Sequence, residues 1–283
     1  RAPAERLAAA EEAALMGALP VDVVRALYLA QPATPTEIDS ALALADTAEP
    51  ARGRALLYQA ADRAGQAGAR ATLVEKALER ARRDGTYALA AAVNLPFIEN
   101  IPVAPELSWF AASAVRALAL ADRQDLAGRW AQLAEREAPV DPQVAADLPR
   151  LRALLMLAGG TAPQWDARAL AGPDEAAPAA GPAGLRVARL AALAAALGGA
   201  SGAALAPGDA APPDPQLLAD LDSAAAAGRL GETVLLALVA LGPEGPGGSH
   251  PEALRHALAA LAAVGLDPEV RRLAVEAAVA NGV

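Results

Sequence analysis

Hydrophobic residues in this chain recur every three or four positions, which is the spacing of one face of an α-helix. Proline and glycine separate these stretches. Proline fits the first turn of a helix but cannot continue one, and glycine is typical of the residue that follows a helix. The pattern predicts an all-α fold with helices over about 3–19, 21–30, 35 onward, 50–64, 69–84, 86–93, 105–121, 126–137, 142–157, 185–197, 215–227, 230–241, 251–264 and 268–280.

Two kinds of segment interrupt the helical pattern. Residues 94–105 contain three prolines and no helical period, so we predict a structured connection there. Residues 158–184 are rich in Gly, Pro and Ala, and we predict that they are mostly irregular, as is a second loose stretch that ends at Pro213. The predicted organisation is an N-terminal lobe over 1–157, a connection over 158–184 and a C-terminal lobe over 185–283.

Three segments share the order helix, short turn, helix: residues 119–127, 226–232 and 263–270. They resemble the hairpin turns of tetratricopeptide-like solenoids, although the turns do not recur at the constant period of about 34 residues typical of that family. The resemblance implies antiparallel helical hairpins stacked as an irregular α-solenoid, either in one superhelix or in two lobes. No site residue is carried over from the family.

Composition supports the helical prediction and limits the partners. Alanine and leucine favour helices, and only 3% of the residues are aromatic. The net charge is −9, whereas a nucleic-acid-binding protein needs a basic stripe. Arginines 80, 82 and 83 are the nearest candidate, but acidic residues interleave with them. We therefore predict that the chain does not bind nucleic acid.

No recognisable catalytic or metal-binding motif is present. The chain has no cysteine, so disulfides and thiolate-bound metals are excluded. His250 and His256 are six residues apart and do not share a helix face, and His250 precedes a helix as a capping residue would. No serine lies in a nucleophile elbow, and no phosphate-binding loop is found. We predict a non-enzymatic protein without cofactor or metal; an enzyme whose site has no known motif stays open.

One long uncharged stretch, 190–208, has the length of a membrane span. Glycines, a serine and Pro207 interrupt it, and alanine is barely apolar on insertion scales, so we predict a buried helix and a loop instead. The sequence begins with Arg1, and we expect it to be processed or cut from a longer protein. We predict a soluble protein, located either in the cytoplasm or in the periplasm.

The eight aromatic residues are distributed unevenly, and none follows Trp165. Four of them, Phe97, Trp109, Phe110 and Trp130, lie close to the predicted connection at 94–105 or on the helices after it. One interpretation is that they anchor the connection to the core. The other is a groove for a peptide or partner helix, because partly exposed Trp is typical of interaction hot spots. Glu99 and Asn100 would then provide polar contacts at the rim.

Three functional hypotheses remain open at this point. The first is a protein-interaction scaffold that binds a peptide or partner helix with the aromatic region. The second is a structural component that associates with itself or supports a larger complex. The third is a non-catalytic helical module of a longer enzyme.

Overall fold

Helices account for the regular secondary structure of the residues that the computed structural model describes, namely 3–159, 170, 181–199 and 212–283, and these residues contain no strand. The all-α prediction is therefore confirmed for them. In chain order the helices are α1 (Pro3–Leu15), α2 (Val21–Leu29), α3 (Pro35–Asp39), α4 (Ala41–Leu44), α5 (Pro50–Arg63), α6 (Ala67–Arg83), α7 (Tyr87–Asn100), a 3₁₀ helix (Pro105–Phe110), α8 (Ala111–Leu120), α9 (Gln124–Glu137), α10 (Pro142–Ala158), α11 (Gly181–Ala196), α12 (Pro215–Ala226), α13 (Leu230–Leu241), α14 (Gly245–Gly248), α15 (Pro251–Ala263) and α16 (Asp267–Ala280).

The chain divides into two compact units, residues 1–145 and 146–283, and the division falls inside α10. In the first unit α5 is central and packs against α1, α2, α6 and α7. In the second unit α15 is central and packs against α11, α12, α13 and α16. The predicted irregular segment 158–184, the loose stretch before Pro213 and Trp165 fall largely or wholly outside the described residues, and the predicted lobe boundaries stay a prediction.

Four helical hairpins share one kind of turn. The residues Gly85, Asp122, Gly228 and Gly265 all have φ between 58° and 84°. In each case the next N–H bonds to the carbonyl five residues earlier, as in Arg123 N to Leu118 O at 2.8 Å. This is the Schellman arrangement, which satisfies the free carbonyls at the end of a helix. In each hairpin the following helix begins two residues after the residue with positive φ, so the two helices are held close together.

The prediction that 94–105 is not helical was wrong for its first part, because α7 continues through Pro96 to Asn100. A proline inside a helix leaves the carbonyl four residues earlier without its donor. Here the guanidinium of Arg25, on α2, donates to the carbonyls of Ala92 and Val93, with Nε 3.0 Å from the Val93 oxygen. The tertiary contact replaces the missing intrahelical bond, so the helix persists.

One other helix start differs from the sequence prediction. The helix expected over 105–121 begins as the 3₁₀ helix and becomes α-helical only at Ala111. The imidazole of His250 accepts from Glu252 N as the N-cap of α15, in agreement with its predicted capping position, and the Ser249 hydroxyl donates to Pro246 O. Helix α3 begins at Pro35 as predicted, with a capping box between Thr34 and Glu37.

Candidate functional site

The predicted aromatic region lies where α7, the 3₁₀ helix, α8 and α9 meet in the first unit. The rings of Phe110 and Trp130 are fully buried and pack edge to face with centroids 5.8 Å apart. Trp109 lies 5.8 Å from Phe110 on the other side and keeps 45% of its surface exposed. The structure therefore brings three of the predicted residues together, with Trp109 as the one that solvent reaches.

Phe97 belongs to a different aromatic cluster. Its ring lies 4.8 Å from that of Tyr58, which in turn lies 5.7 Å from Tyr28. This second cluster packs α7 against α2 and α5, with Phe97 partly buried at its edge. Phe97 therefore stabilises the helix that Pro96 would otherwise interrupt.

The two predicted polar residues both have partners within the chain. The Glu99 carboxylate accepts a hydrogen bond from Arg123 Nε at 2.6 Å, which joins the end of α7 to the turn before α9. Asn100 donates from its side chain to Pro96 O at 2.7 Å and closes the last turn of α7. Both residues lie at the surface, so they can still contact a partner.

A partly buried acid lies between α6 and α8. The Glu75 carboxylate is hydrogen-bonded to Ser113, and burial raises its pKa above the ordinary value, with the charge of Glu79 adding to the effect. The guanidinium of Arg82 lies 5.0 Å from the centroid of the Tyr87 ring, and burial raises the pKa of that tyrosine as well. The contact of Glu75 with Ser113 joins α6 to α8, and the contact of Arg82 with Tyr87 joins α6 to α7.

A second buried polar network joins α1, α2, α5 and α6. The Glu11 carboxylate accepts hydrogen bonds from Arg54 and from the Tyr28 hydroxyl, and Arg54 also donates to Asp84 at 2.7 Å. Burial, followed by the charge of Glu11, raises the pKa of Tyr28. The opposite charges compensate one another, as burial of ionised groups requires.

The cavity beside this network is too small for a substrate. Its volume is about 10 Å³, and its lining includes Tyr28, Arg54, Thr86 and Asn94. That volume is about the space one water molecule occupies, and a water there would find polar partners. The Thr86 hydroxyl and the Asn94 carbonyl are buried without a hydrogen-bond partner among the described residues. The arrangement fits an internal water.

Both histidines contact helices of the second unit. His250 caps α15, and His256 lies 3.0 Å from a carboxylate oxygen of Asp222 on α12. Over the described ranges, no group of three or more His, Asp or Glu side chains is placed to hold a metal ion. In the same part of the chain, no helix combines the length and apolar content needed to cross a membrane.

Sequence reasoning missed an exposed apolar face on α13. Leu235, Leu238 and Val239 are 65%, 60% and 64% exposed, respectively, and their spacing of three and four places them on one side of the helix. The signal was present, because the segment 230–241 is apolar all round apart from Glu232 and Thr233. Such a helix is normally buried on every side.

Comparison of the chain with protein-family models, with curated proteins and with solved structures found no match.

Proposed function

We propose that this chain is a non-enzymatic protein-interaction module that binds a peptide or a partner helix at a surface centred on Trp109. The observation that carries the proposal is the exposure of Trp109 on a rigid support. The Trp109 indole is nearly half exposed and is held against the buried Phe110, which in turn packs against Trp130. It can therefore bury its remaining face without losing much conformational freedom.

We propose that polar residues at the end of α7 contribute to the same surface. Glu99 forms an exposed ion pair with Arg123, and the exposed Asn100 follows Glu99 in the chain. Exposed ion pairs contribute little to folding stability, so their groups are free to exchange partners on binding. A polar rim around an aromatic anchor is the usual composition of a protein interface.

The hairpin turns support a helical-repeat architecture within each unit. Gly85 and Asp122 are 37 residues apart, and so are Gly228 and Gly265. Each of the four residues ends a helix with the same backbone arrangement. We therefore propose that each unit is a short stack of antiparallel hairpins of the tetratricopeptide-like kind. Stacks of this kind commonly serve as binding surfaces, although fold alone is only an analogy for function.

The test replaces Trp109 by a photo-cross-linking amino acid and exposes the protein to a lysate of the source organism. We expect one stoichiometric cross-linked partner. An excess of the unlabelled wild-type chain should prevent this cross-link by competing for the same partner. The matched control carries the same amino acid at Leu42, which has similar exposure on α4 in the same unit. Equal cross-linking at both positions would contradict a specific site at Trp109.

A further inference from the structure

The 3₁₀ helix that carries Trp109 presents a carboxylate on the same side as the indole. Side chains three positions apart lie above one another in a 3₁₀ helix, because each turn contains three residues. Leu107 and Phe110 form one such pair, and both are buried. Glu106 and Trp109 form the next pair around the helix, and both are exposed. Glu106 therefore lies on the outward side of the helix one turn before Trp109, a rise of about 6 Å.

Among the described residues, neither the charge of Glu106 nor the aromatic face of Trp109 is matched by an opposite charge. The Glu106 carboxylate has no hydrogen-bond or ion-pair partner there, whereas Glu99 is already paired with Arg123. The one cation–π contact found in the same part of the chain joins Arg82 to a tyrosine, so no cation covers the Trp109 indole. Both groups are thus available to a partner.

A carboxylate next to an exposed indole suits a cationic ligand. The face of an aromatic ring carries negative electrostatic potential, and tryptophan attracts a cation within about 6 Å of its ring more strongly than tyrosine or phenylalanine does. Glu106 adds a full negative charge one helical turn away. The net charge of −9 also favours the approach of a basic partner over that of an acidic one.

The arrangement suits arginine better than lysine. A guanidinium is planar, so it can stack on an indole while the N–H groups at its edge donate to a carboxylate. A lysine ammonium is a compact and strongly hydrated charge that cannot stack in this way. Arginine is also, with tryptophan and tyrosine, among the residues most enriched at interaction hot spots.

We propose that the Trp109 surface binds an arginine side chain of its partner, with the guanidinium stacked on the indole and hydrogen-bonded to the Glu106 carboxylate. The inference rests on the proposed function and adds the chemistry of the partner, which is a peptide or helix that exposes an arginine. Glu106 is the residue that selects the charge of the partner, and Trp109 provides the contact area.

The first experiment follows the indole N–H signals of the full chain by proton–nitrogen NMR. The chain has three tryptophans, and Trp109→Phe assigns the signal of Trp109. The probe is an alanine-based helical peptide with one central arginine, and matched peptides carry lysine or glutamine at that position. We expect the arginine peptide to shift the Trp109 signal saturably and to bind about tenfold more tightly than the glutamine peptide, with lysine between them. An arginine peptide that leaves this signal in place, or binds no better than the glutamine peptide, would overturn the proposal.

A pair of variants locates the attracting charge. Glu106→Gln keeps the shape of the side chain and should weaken binding of the arginine peptide about threefold to fivefold, because an exposed ion pair is lost. Binding of the glutamine peptide should not change, since that peptide makes no ion pair with Glu106. Glu12→Gln is the control, because Glu12 is an exposed acid on α1 and its loss changes the net charge equally. Equal weakening by both variants would mean that only the net charge attracts the peptide, and the assigned role of Glu106 would be wrong.

The stacking contact is tested on the indole itself. Fluorinated tryptophans, incorporated at Trp109 alone, withdraw electron density from the face of the ring without removing apolar surface. We expect the affinity for the arginine peptide to fall with each added fluorine, whereas that for the glutamine peptide should not fall. The same response of both peptides would contradict a guanidinium stacked on Trp109.

This inference and the proposed function can fail separately. A partner that cross-links specifically at Trp109, but binds the wild type and Glu106→Gln equally tightly, would leave the proposed function in place and overturn the arginine contact. Without a specific cross-link at Trp109, both would fall. We expect instead a cross-linked segment that contains an arginine, and replacing this arginine by glutamine should abolish the difference in affinity between the wild type and Glu106→Gln.

Discussion

Arg54 in the first unit and Arg189 in the second are held by different kinds of partner. In the first, Arg54 is buried against the carboxylates of Glu11 and Asp84, and the hydrogen bond and charge of Glu11 outweigh desolvation and raise its pKa. In the second, Arg189 donates to the carbonyls of Gly248 and Ser249, and desolvation lowers its pKa. Arg54 compensates the negative charge of Glu11, whereas Arg189 satisfies backbone carbonyls at the start of a helix. The stability that Arg54 contributes therefore depends on an opposite charge, and that of Arg189 does not.

The cores of the two units also differ in the size of their side chains. Seven of the eight aromatic residues, from Tyr28 to Trp130, lie in the first unit, and the described part of the second unit has none. There the helices approach closely instead, as at Gly247, where an added Cβ would lie 2.4 Å from the Cβ of Ala280. Large side chains fill the space between helices that lie far apart and bury much apolar area. Small side chains fill a core to the same density only if the helix backbones lie close together.

The largest expected effect comes from removing the compensating charge in the first unit. Arg54→Met leaves the Glu11 carboxylate buried without its cation, and breaking a buried pair in this way costs about 3–5 kcal/mol. The measurement is the free energy of unfolding in urea. Arg123→Met, which breaks the exposed pair with Glu99, is the control and should cost at most about 1 kcal/mol. Equal losses would show that the burial of Arg54 is irrelevant to its contribution.

The aromatic core of the first unit gives the next test. Trp130→Ala removes a fully buried ring and should cost about 3–5 kcal/mol in unfolding free energy. Trp109→Ala removes a ring that solvent already reaches, and we expect a change of about 0.5 kcal/mol or less. If Trp109→Ala destabilised the protein as strongly as Trp130→Ala, Trp109 would be a core residue and its proposed contact surface would lose its support.

A smaller loss is expected from the second unit's arginine. Arg189→Met leaves the carbonyls of Gly248 and Ser249 without their donor, and a buried group left unsatisfied costs about 1–3 kcal/mol. Arg189→Met leaves no buried carboxylate without its cation, so its loss of unfolding free energy should be smaller than that of Arg54→Met. Urea unfolding of both variants under the same conditions decides. A loss for Arg189→Met above that of Arg54→Met would reverse the comparison between the two units.

The sequence predicts local features of this fold better than tertiary ones. Helix starts and turns depend on neighbouring residues, so the capping box at Thr34 and the turns at Gly228 and Gly265 follow from the chain. The continuation of α7 through Pro96 does not, because the donor that makes it favourable is Arg25, far away in sequence. Helical periodicity likewise cannot distinguish a buried α13 from one with an outward apolar face.

The candidate site shows the same limit. Trp109, Phe110 and Trp130 are near one another in sequence, and their grouping could be predicted. Which of them solvent reaches could not, because adjacent positions such as Trp109 and Phe110 differ only in how the 3₁₀ helix turns them. Phe97 is close in sequence as well, but helix α7 places it against Tyr58 instead.

The smallest expected effect concerns Glu75, a partly buried acid of the first unit. Desolvation raises its folded-state pKa above the ordinary 4.5, although the Ser113 hydrogen bond and the charges of Arg82 and Arg116 oppose the shift. The folded state therefore binds this proton more tightly than the unfolded state. Stability contributed by the protonated group is present at low pH and is lost as the pH rises from about 4.5 through the folded pKa.

Glu75→Gln keeps a neutral group next to Ser113 at every pH, so we expect it to match the wild type in acid and to be more stable at neutral pH. The measurement is the difference in unfolding free energy between the two proteins as a function of pH, which cancels the contributions of the other carboxylates. Glu79→Gln, at an exposed neighbouring position, removes a charge that adds to the shift, so it should lower the pKa of Glu75 without abolishing the titration of that group. A wild type that gained stability over Glu75→Gln as the pH rose would mean that nearby arginines outweigh desolvation, and Glu75 would then resemble Glu11 as a compensated charge.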